Sequence, residues 1–152
     1  MYKLQLQQLR QTRQNVLRLI QPFSIEQLNK IPDQFNNNLI WNLGHIVVTQ
    51  QLLCYRLAGQ TPLIEDPLID KYRKGSRPTG FTSSEELQFL QDKLFAFVDQ
   101  TEADLAAGLL QNYRPYSTSF GLNLDSIEAA IHFNNIHEGL HLGVMMGMRK
   151  LV

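Results

Sequence analysis

The clearest structural signal in the chain is the segment at residues 127–149, IEAAIHFNNIHEGLHLGVMMGMR. At about 100° of rotation per residue, one helical face of this segment carries apolar residues together with a few polar ones. That face contains Ile127, Ile131, Asn134, Glu138, His141, Met145 and Met148. His137 lies at the edge of the face, one turn before His141. The pattern predicts an amphipathic helix that directs two histidines toward the interior of a helical domain.

Two segments that precede this one also show helical periodicity. Residues 2–21 place Tyr2, Leu6, Leu9, Val16 and Ile20 on one face. A second helix is predicted to begin at one of the asparagines 36–38 and to continue to Gly59. It has two apolar stripes, which is typical of a helix that is central to a bundle or shared with a partner subunit.

Capping signals mark the starts of the two remaining helices. Thr82 with Glu85 forms the first capping-box pattern, and Asp125 with Glu128 forms the second. The helix that begins near Thr82 directs its apolar residues inward. These are Leu87, Leu90, Leu94, Phe97 and Val98.

The connections between these helices are long. Residues 60–81 are rich in proline, glycine and charge, and residues 108–121 form a second connection; no convincing strand pattern competes. Long connections between four helices indicate crossovers rather than simple hairpins. The sequence therefore predicts an all-α four-helix bundle in a single domain, residues 1–152.

Composition excludes several classes of protein. The 152 residues include 14 basic and 14 acidic side chains, so the formal net charge is zero and nucleic acid is not the expected partner. No apolar run approaches the roughly 18 residues of a membrane span, and the first residues do not resemble a secretion signal. The single cysteine, Cys54, excludes an internal disulfide and suits a reducing compartment. We expect a soluble cytoplasmic protein in which Cys54 is an inert core residue.

The histidines are the candidates for chemistry. His137 and His141 are spaced H-x-x-x-H, so both imidazoles can converge on one metal ion from one face of a helix. Buried histidines that are hydrogen-bonded to a carboxylate or carbonyl are the alternative. His132 projects in roughly the opposite direction and is expected at the surface. His45 lies on the apolar second helix, either as a third ligand or as a core histidine with a backbone partner.

The segment His137–His141, HEGLH, also resembles the H-E-x-x-H motif of zinc proteases. In that interpretation Glu138 acts as a general base. Alternatively, the Glu138 carboxylate orients a ligand imidazole from behind.

Two segments together resemble the DinB/YfiT-like superfamily of bacterial four-helix proteins. They are NNNLIWNLGHIVVTQQLLCYRLAG at residues 36–59 and HFNNIHEGLHLGVMMGMRK at residues 132–150. The resemblance implies an up-down-down-up bundle in which His45, His137 and His141 bind a divalent metal ion, zinc or nickel. The usual H-R-G-Q ending of the family's last motif reads H-L-G-V here.

The resemblance also implies an activity, because the superfamily includes thiol-dependent S-transferases. The first hypothesis is therefore metal-dependent S-transfer with a low-molecular-weight thiol and a small-molecule substrate. Metal-dependent hydrolysis is the second hypothesis, and a non-catalytic bundle is the third.

Two surface features bear on ligands and partners. Four cations in the 60–81 connection, Lys71, Arg73, Lys74 and Arg77, either bind the carboxylates of an anionic thiol or belong to a solvated loop. The aromatic residues Tyr113, Tyr116 and Phe120 either line the same opening or pack the connection.

Excess apolar surface predicts a homodimer. The second helix is apolar on two sides, more than a monomeric bundle of four helices is expected to bury. The candidate contact residues are Leu52 and Tyr55, or Phe89 and Phe95 on the third helix.

Overall fold

The computed structural model describes residues 2–152, which are mainly helical. The α-helices are α1 (Lys3–Ile20), α2 (Ile25–Asn29), α3 (Leu39–Cys54), α4 (Asp66–Tyr72), α5 (Ser84–Ala106) and α6 (Ile127–Met148). A 3-10 turn follows α3 at Arg56–Ala58, and strands β1 (Tyr116–Ser117) and β2 (Asn123–Leu124) lie between α5 and α6. None of the helices in residues 2–152 has both the length and the hydropathy to cross a membrane.

The four long helices form a bundle in which α1 and α3 are diagonal to each other. Each of them packs against both α5 and α6. Side-chain contacts give the directions of the helices. The contacts are Gln50–Thr101 and Tyr55–Asp104 between α3 and α5, Gln5–Asn135 and Arg13–Glu138 between α1 and α6, and Asn42–His141 and His45–His137 between α3 and α6.

The numbers of the contacting residues rise together along α3 and α5 and along α1 and α6, so the helices of each of these pairs are parallel. Along α3 and α6 they run in opposite directions, so these two helices are antiparallel. Helices α1, α3, α5 and α6 therefore run up, down, down and up, and the predicted all-α bundle is confirmed. The predicted inward faces of α1 and α5 are also buried, from Leu6 to Ile20 and from Leu90 to Val98. This topology places the middle of α3 opposite the middle of α6.

Helix α3 is buried on nearly every side within its own chain. The long helices α5 and α6 and the short helices α2 and α4 all pack against it. The Tyr72 ring of α4 lies so close to Gly44 that a Cβ atom at position 44 would collide with it. The continuous α-helix ends at Cys54 rather than at Gly59, which adopts a left-handed conformation (φ 75°) after the 3-10 turn.

Helix α4 corrects the prediction of an unbroken loop over residues 60–81. It begins with Asp66 and Pro67, an acidic residue and a proline in the first turn, where both favour a helix. Because α4 has only 7 residues, its apolar period is too short to stand out in the sequence. Its packing on α3 stabilises it instead.

The predicted capping residues are shifted by one position. Ser83 rather than Thr82 caps α5 and accepts a hydrogen bond from the Glu86 amide. Ser126 rather than Asp125 caps α6. Adjacent residues with similar capping propensity cannot be distinguished by sequence pattern alone.

The connection between α5 and α6 contains a short antiparallel hairpin, which corrects the prediction that no strand is present. Tyr116 pairs with Leu124, and Ser117 pairs with Asn123. Two-residue strands are too short to give a readable alternation of apolar and polar residues.

Surfaces that were candidates for a homodimer differ in their exposure. Tyr55 is buried within the chain, whereas Phe89 is 39% exposed. The outer face of α6 is more apolar than expected, because Ile136, Leu140 and Val144 are 43%, 51% and 41% exposed. Excess apolar surface therefore lies on α6 rather than on α3.

Candidate metal centre

Three histidines from two helices meet near the middle of the bundle. The Nε2 atoms of His45 and His137 are 3.1 Å apart, and the His141 ring centroid lies 4.6 Å from that of His45 and 4.5 Å from that of His137. One nitrogen from each ring can be chosen so that all three lie within 4.8 Å of one another. His45 from α3 thus joins His137 and His141 from α6, as the sequence predicted, while His132 is exposed.

The His45 ring is held by its surroundings in one tautomer. Its Nδ1 lies 2.7 Å from the Tyr72 carbonyl oxygen, which can only accept, so Nδ1 carries the proton. The Nε2 atom therefore presents a lone pair. Tyr72 is itself fixed, since its hydroxyl donates to Glu86 at 2.5 Å, and Trp41 stacks on the His45 ring at 4.6 Å.

An asparagine fixes His141 in the same way. The Asn42 side-chain amide donates to the Asn38 carbonyl at 2.8 Å and to the Asn37 side chain at 2.9 Å. Its Oδ1 atom is thereby turned toward His141 and lies 2.8 Å from Nδ1. His141 accordingly carries its proton on Nδ1, and its Nε2 atom also presents a lone pair.

His137 is the one member of the cluster without such a constraint. Its Nδ1 atom is buried and has no hydrogen-bond partner among the described residues. The Nε2 atom can either donate a proton to His45 or turn its own lone pair toward a shared cation. Two nitrogens that bind one tetrahedral zinc ion at about 2.0–2.1 Å are about 3.3 Å apart, close to the observed 3.1 Å. The donor set therefore fits a divalent metal ion.

All three imidazoles are neutral at physiological pH. Burial, together with the neighbouring His141 and His45, lowers the pKa of His137 to about 3. Burial and the proximity of His45 likewise lower the pKa of His141 to about 4. Burial lowers the His45 pKa as well, against the opposing effect of the Tyr72 carbonyl. Neutral imidazoles are the form that binds metal.

Glu138 points away from the histidines into the contact between α1 and α6. Its carboxylate accepts three hydrogen bonds from Arg13, at 2.6, 3.0 and 3.2 Å, and one from Asn134 at 3.0 Å. Both members of the Arg13–Glu138 ion pair are fully buried. Because these donors occupy its carboxylate, the geometry does not place Glu138 as a general base or behind a ligand imidazole, despite the H-E-x-x-H spacing.

Sequence reasoning missed Arg13, Asn42 and Tyr72. Arg13 occupies a position of the apolar stripe of α1, between Leu9 and Val16, and a cation there is the signal of a buried partner. Asn42 is similarly a polar residue in an apolar helix. Tyr72 acts through its backbone carbonyl, for which side-chain patterns offer no signal.

The three histidines form one wall of a cavity of about 440 Å³. Tyr116 from the hairpin and Lys74 from the segment after α4 line it as well. Tyr113 instead packs into the core, and Phe120 packs against Phe133 with ring centroids 6.2 Å apart. Of the three aromatic candidates, only Tyr116 lines the opening.

The four cations near α4 have different surroundings. Lys71 pairs with Glu86 at 2.7 Å, and Arg73 pairs with Asp70 at 2.9 Å. Lys74 faces the histidine cavity, while Arg77 lines a separate surface pocket. The four cations therefore do not form one common anion site.

Cys54 is buried away from this cavity. Burial raises the pKa of its thiol to about 12, so the thiolate is not populated at neutral pH. Cys54 is an inert core residue, as its sequence context suggested.

Comparison with known proteins identifies the family. The family model of the DinB superfamily matches residues 8–145, a range that contains all three histidines. A search of curated proteins found no significant match. Since the family model spans most of the chain, the protein belongs to the DinB superfamily.

Proposed function

We propose that this member of the DinB superfamily binds one divalent metal ion through His45, His137 and His141 and catalyses thiol-dependent S-transfer. The observation that carries the proposal is the fixed tautomer of two imidazoles. The Tyr72 carbonyl and the Asn42 side chain hold protons on the Nδ1 atoms of His45 and His141, so both Nε2 atoms carry a free lone pair within a cluster of three imidazoles. Zinc and nickel both accept imidazole nitrogen, and both are candidates.

The surroundings of the histidines favour S-transfer over hydrolysis. Metal-dependent hydrolysis usually employs a general base beside the reacting water, and Glu138, the candidate for that role, is committed to Arg13. A bound divalent ion supplies Lewis acidity that lowers the pKa of a coordinating thiol, so S-transfer requires less of the protein. In the reaction, the thiol sulfur bonds to an electrophilic carbon, the bond from that carbon to its leaving group breaks, and the thiol proton departs with the leaving group.

The chain's own residues hold and shield the reactants. Leu52, Leu57 and Phe133 line the cavity beside the histidines and reduce its water content. The Thr49 hydroxyl lies 3.4 Å from His45 Nε2 and is placed to hydrogen-bond a reactant there. These contacts orient a thiol and a second substrate in one enclosed space.

Metal content is the direct test of the site. Protein purified without a nickel column should contain close to one equivalent of metal by elemental analysis, and His45→Ala and His141→Ala should lose it. His132→Ala is the matched control, because His132 is an exposed histidine on the same helix as His141.

Tryptophan fluorescence gives a second measurement of metal binding. Trp41 is the single tryptophan and stacks on His45, so nickel should quench its fluorescence in the wild type and in the control. Metal retention in both His45→Ala and His141→Ala would refute the site.

Activity assays separate the three functional hypotheses. We expect turnover of cysteine with chlorodinitrobenzene and little cleavage of nitrophenyl acetate, and we expect His141→Ala to abolish the transfer. Ester cleavage that depends on His141 would favour the hydrolase. Rates that are equal in wild type and His141→Ala for both substrates would leave the non-catalytic bundle.

The compartment and the oligomeric state are also proposals. We propose a cytoplasmic protein, because the lone Cys54 has no partner for an internal disulfide.

We further propose a homodimer that covers the outer face of α6. Light scattering should give twice the chain mass for the wild type and the chain mass for Leu140→Lys, whose side chain is half exposed. A monomeric wild type at micromolar concentration would refute the homodimer.

A further inference from the structure

The cavity beside the histidines has a one-sided charge. The charged side chains that line it are Arg56 and Lys74, and no carboxylate lines it among residues 2–152. The chain as a whole has a formal net charge of zero, so this excess of positive charge is local. A cleft lined by one sign of charge between apolar walls concentrates ligands of the opposite sign.

Lys74 is the cation of this cavity that has no carboxylate partner within residues 2–152, and Arg77, which also has none there, lines a different pocket. Lys71 pairs with Glu86, Arg73 pairs with Asp70, and Arg56 pairs with Asp66 at 2.9 Å. Within the described part of the chain, the Lys74 ammonium forms neither an ion pair nor a hydrogen bond, and it faces the histidine cavity. It is therefore available to a ligand in the cavity.

The rest of the cavity wall defines the ligand further. Leu52, Leu57 and Phe133 offer apolar contacts, while the hydroxyls of Tyr116 and Ser119 have no partner in the region that the structure describes. A cavity of about 440 Å³ is within the range for small organic ligands. The complementary molecule has an apolar carbon skeleton and an anionic group at one end.

We propose that this cavity binds a small organic anion, with its negative group on Lys74 and its apolar portion on Phe133 and the leucines. The inference rests on the proposed function for the role of the ligand as a substrate of the histidine site. Binding of the anion does not require the metal, because Lys74 and the apolar wall belong to the chain itself. Lys74 is thus the residue that selects an anionic substrate over a neutral one.

The test compares a carboxylate with its neutral amide on metal-free protein. Phenylbutyrate and phenylbutyramide have the same apolar body, and their affinities can be measured by NMR titration. We expect the carboxylate to bind about tenfold more tightly at low salt, and the preference to fall below about threefold in Lys74→Met. Arg77→Met is the matched control, because Arg77 lies three residues further along and lines another pocket; its preference should equal that of the wild type.

Two results would overturn the inference. One is equal affinity for the carboxylate and the amide in the wild type, and the other is an undiminished preference in Lys74→Met. A second titration with one equivalent of zinc separates this inference from the metal proposal. If the carboxylate binds only with zinc and independently of Lys74, the Lys74 assignment fails while the metal site stands. If metal does not bind but metal-free protein prefers the carboxylate through Lys74, the anion site stands and the metal proposal fails.

Discussion

Helix α6 contributes to two polar clusters that differ in burial and in how their polar groups are paired. The ion-pair cluster, Arg13, Asn134 and Glu138, lies between α1 and α6. The histidine cluster, His45, His137 and His141, lies between α3 and α6. Adjacent residues of one pentapeptide, His137 and Glu138, belong to different clusters because successive residues of a helix point about 100° apart.

The ion-pair cluster is closed. Arg13 donates to both carboxylate oxygens of Glu138 and to the Leu94 carbonyl, and both charged side chains are fully buried. Paired charges of this kind hold two helices in register and offer no site to a ligand. The histidine cluster is open, because the Nε2 atoms of His45 and His137 lie 3.1 Å apart beside a cavity, and no acidic side chain among residues 2–152 lines that cavity. Charge pairing and contact with a cavity thus distinguish the structural cluster from the candidate site.

The largest effect should come from breaking the ion pair. Arg13→Met leaves the Glu138 carboxylate buried and uncompensated, so we expect the free energy of unfolding to fall by about 3–5 kcal/mol. Urea denaturation measures this loss.

The double variant Arg13→Met/Glu138→Leu is the control for that loss. With both charges removed, most of the stability should return, and zinc affinity should match that of the wild type. A double variant that stays folded but no longer binds zinc would show that the two clusters are coupled.

Acid should act mainly on the histidine cluster. The folded-state pKa values of His137 and His141, about 3 and about 4, lie below the unfolded value of ~6.5, so the unfolded chain binds more protons between these limits. This contribution to stability is therefore complete above pH ~6.5 and is lost progressively in metal-free protein as the pH falls toward the folded-state values.

Urea denaturation across this pH range checks the origin of the acid effect. His137→Leu should reduce the pH dependence between pH ~6.5 and ~4, because His141 still contributes, while the exposed His132→Gln should leave it unchanged. Equal slopes in wild type and His137→Leu would mean that other groups cause the loss.

Removal of metal should give the next largest effect. Protons and metal compete for the same nitrogens, so a chelator should matter at high pH only. At a free metal concentration about 100 times Kd, binding stabilises the fold by about 2.7 kcal/mol, which corresponds to about 5–10 °C in Tm for a chain of this size. Differential scanning calorimetry at pH ~8 should show this drop with a chelator, and a much smaller one at pH ~5. An unchanged Tm at pH ~8, in protein shown to lose its metal, would mean that the ion adds little to the fold.

The smallest effect concerns two asparagines, one in each cluster. Asn42→Ala frees the His141 ring to change tautomer and should weaken zinc binding about 10- to 100-fold. Asn134→Ala removes one hydrogen bond to Glu138, so it should lower stability by about 1–3 kcal/mol without changing zinc affinity. Zinc titrations of both variants sharpen the distinction, and equal zinc affinities would contradict it.

Much of this molecule could be predicted because it depends on local patterns. The period of apolar residues identified the four long helices, and the resemblance to the DinB/YfiT-like superfamily selected His45, His137 and His141 from four histidines. Helix α4 and the hairpin escaped prediction, since each is too short for its period to be visible. The capping residues Ser83 and Ser126 differ from those predicted by a single position.

The amino-acid order alone is enough to give helices, their inward faces and an H-x-x-x-H pair, because these depend on residues within a few turns of one another. The role of Glu138 depends on which helix packs against its side of α6. HEGLH matches the H-E-x-x-H motif, yet only the packing of α1 brings Arg13 to the carboxylate. The tautomers of His45 and His141 likewise depend on partners 27 and 99 residues away. Contacts across such separations arise from the arrangement of whole helices, which no local pattern encodes.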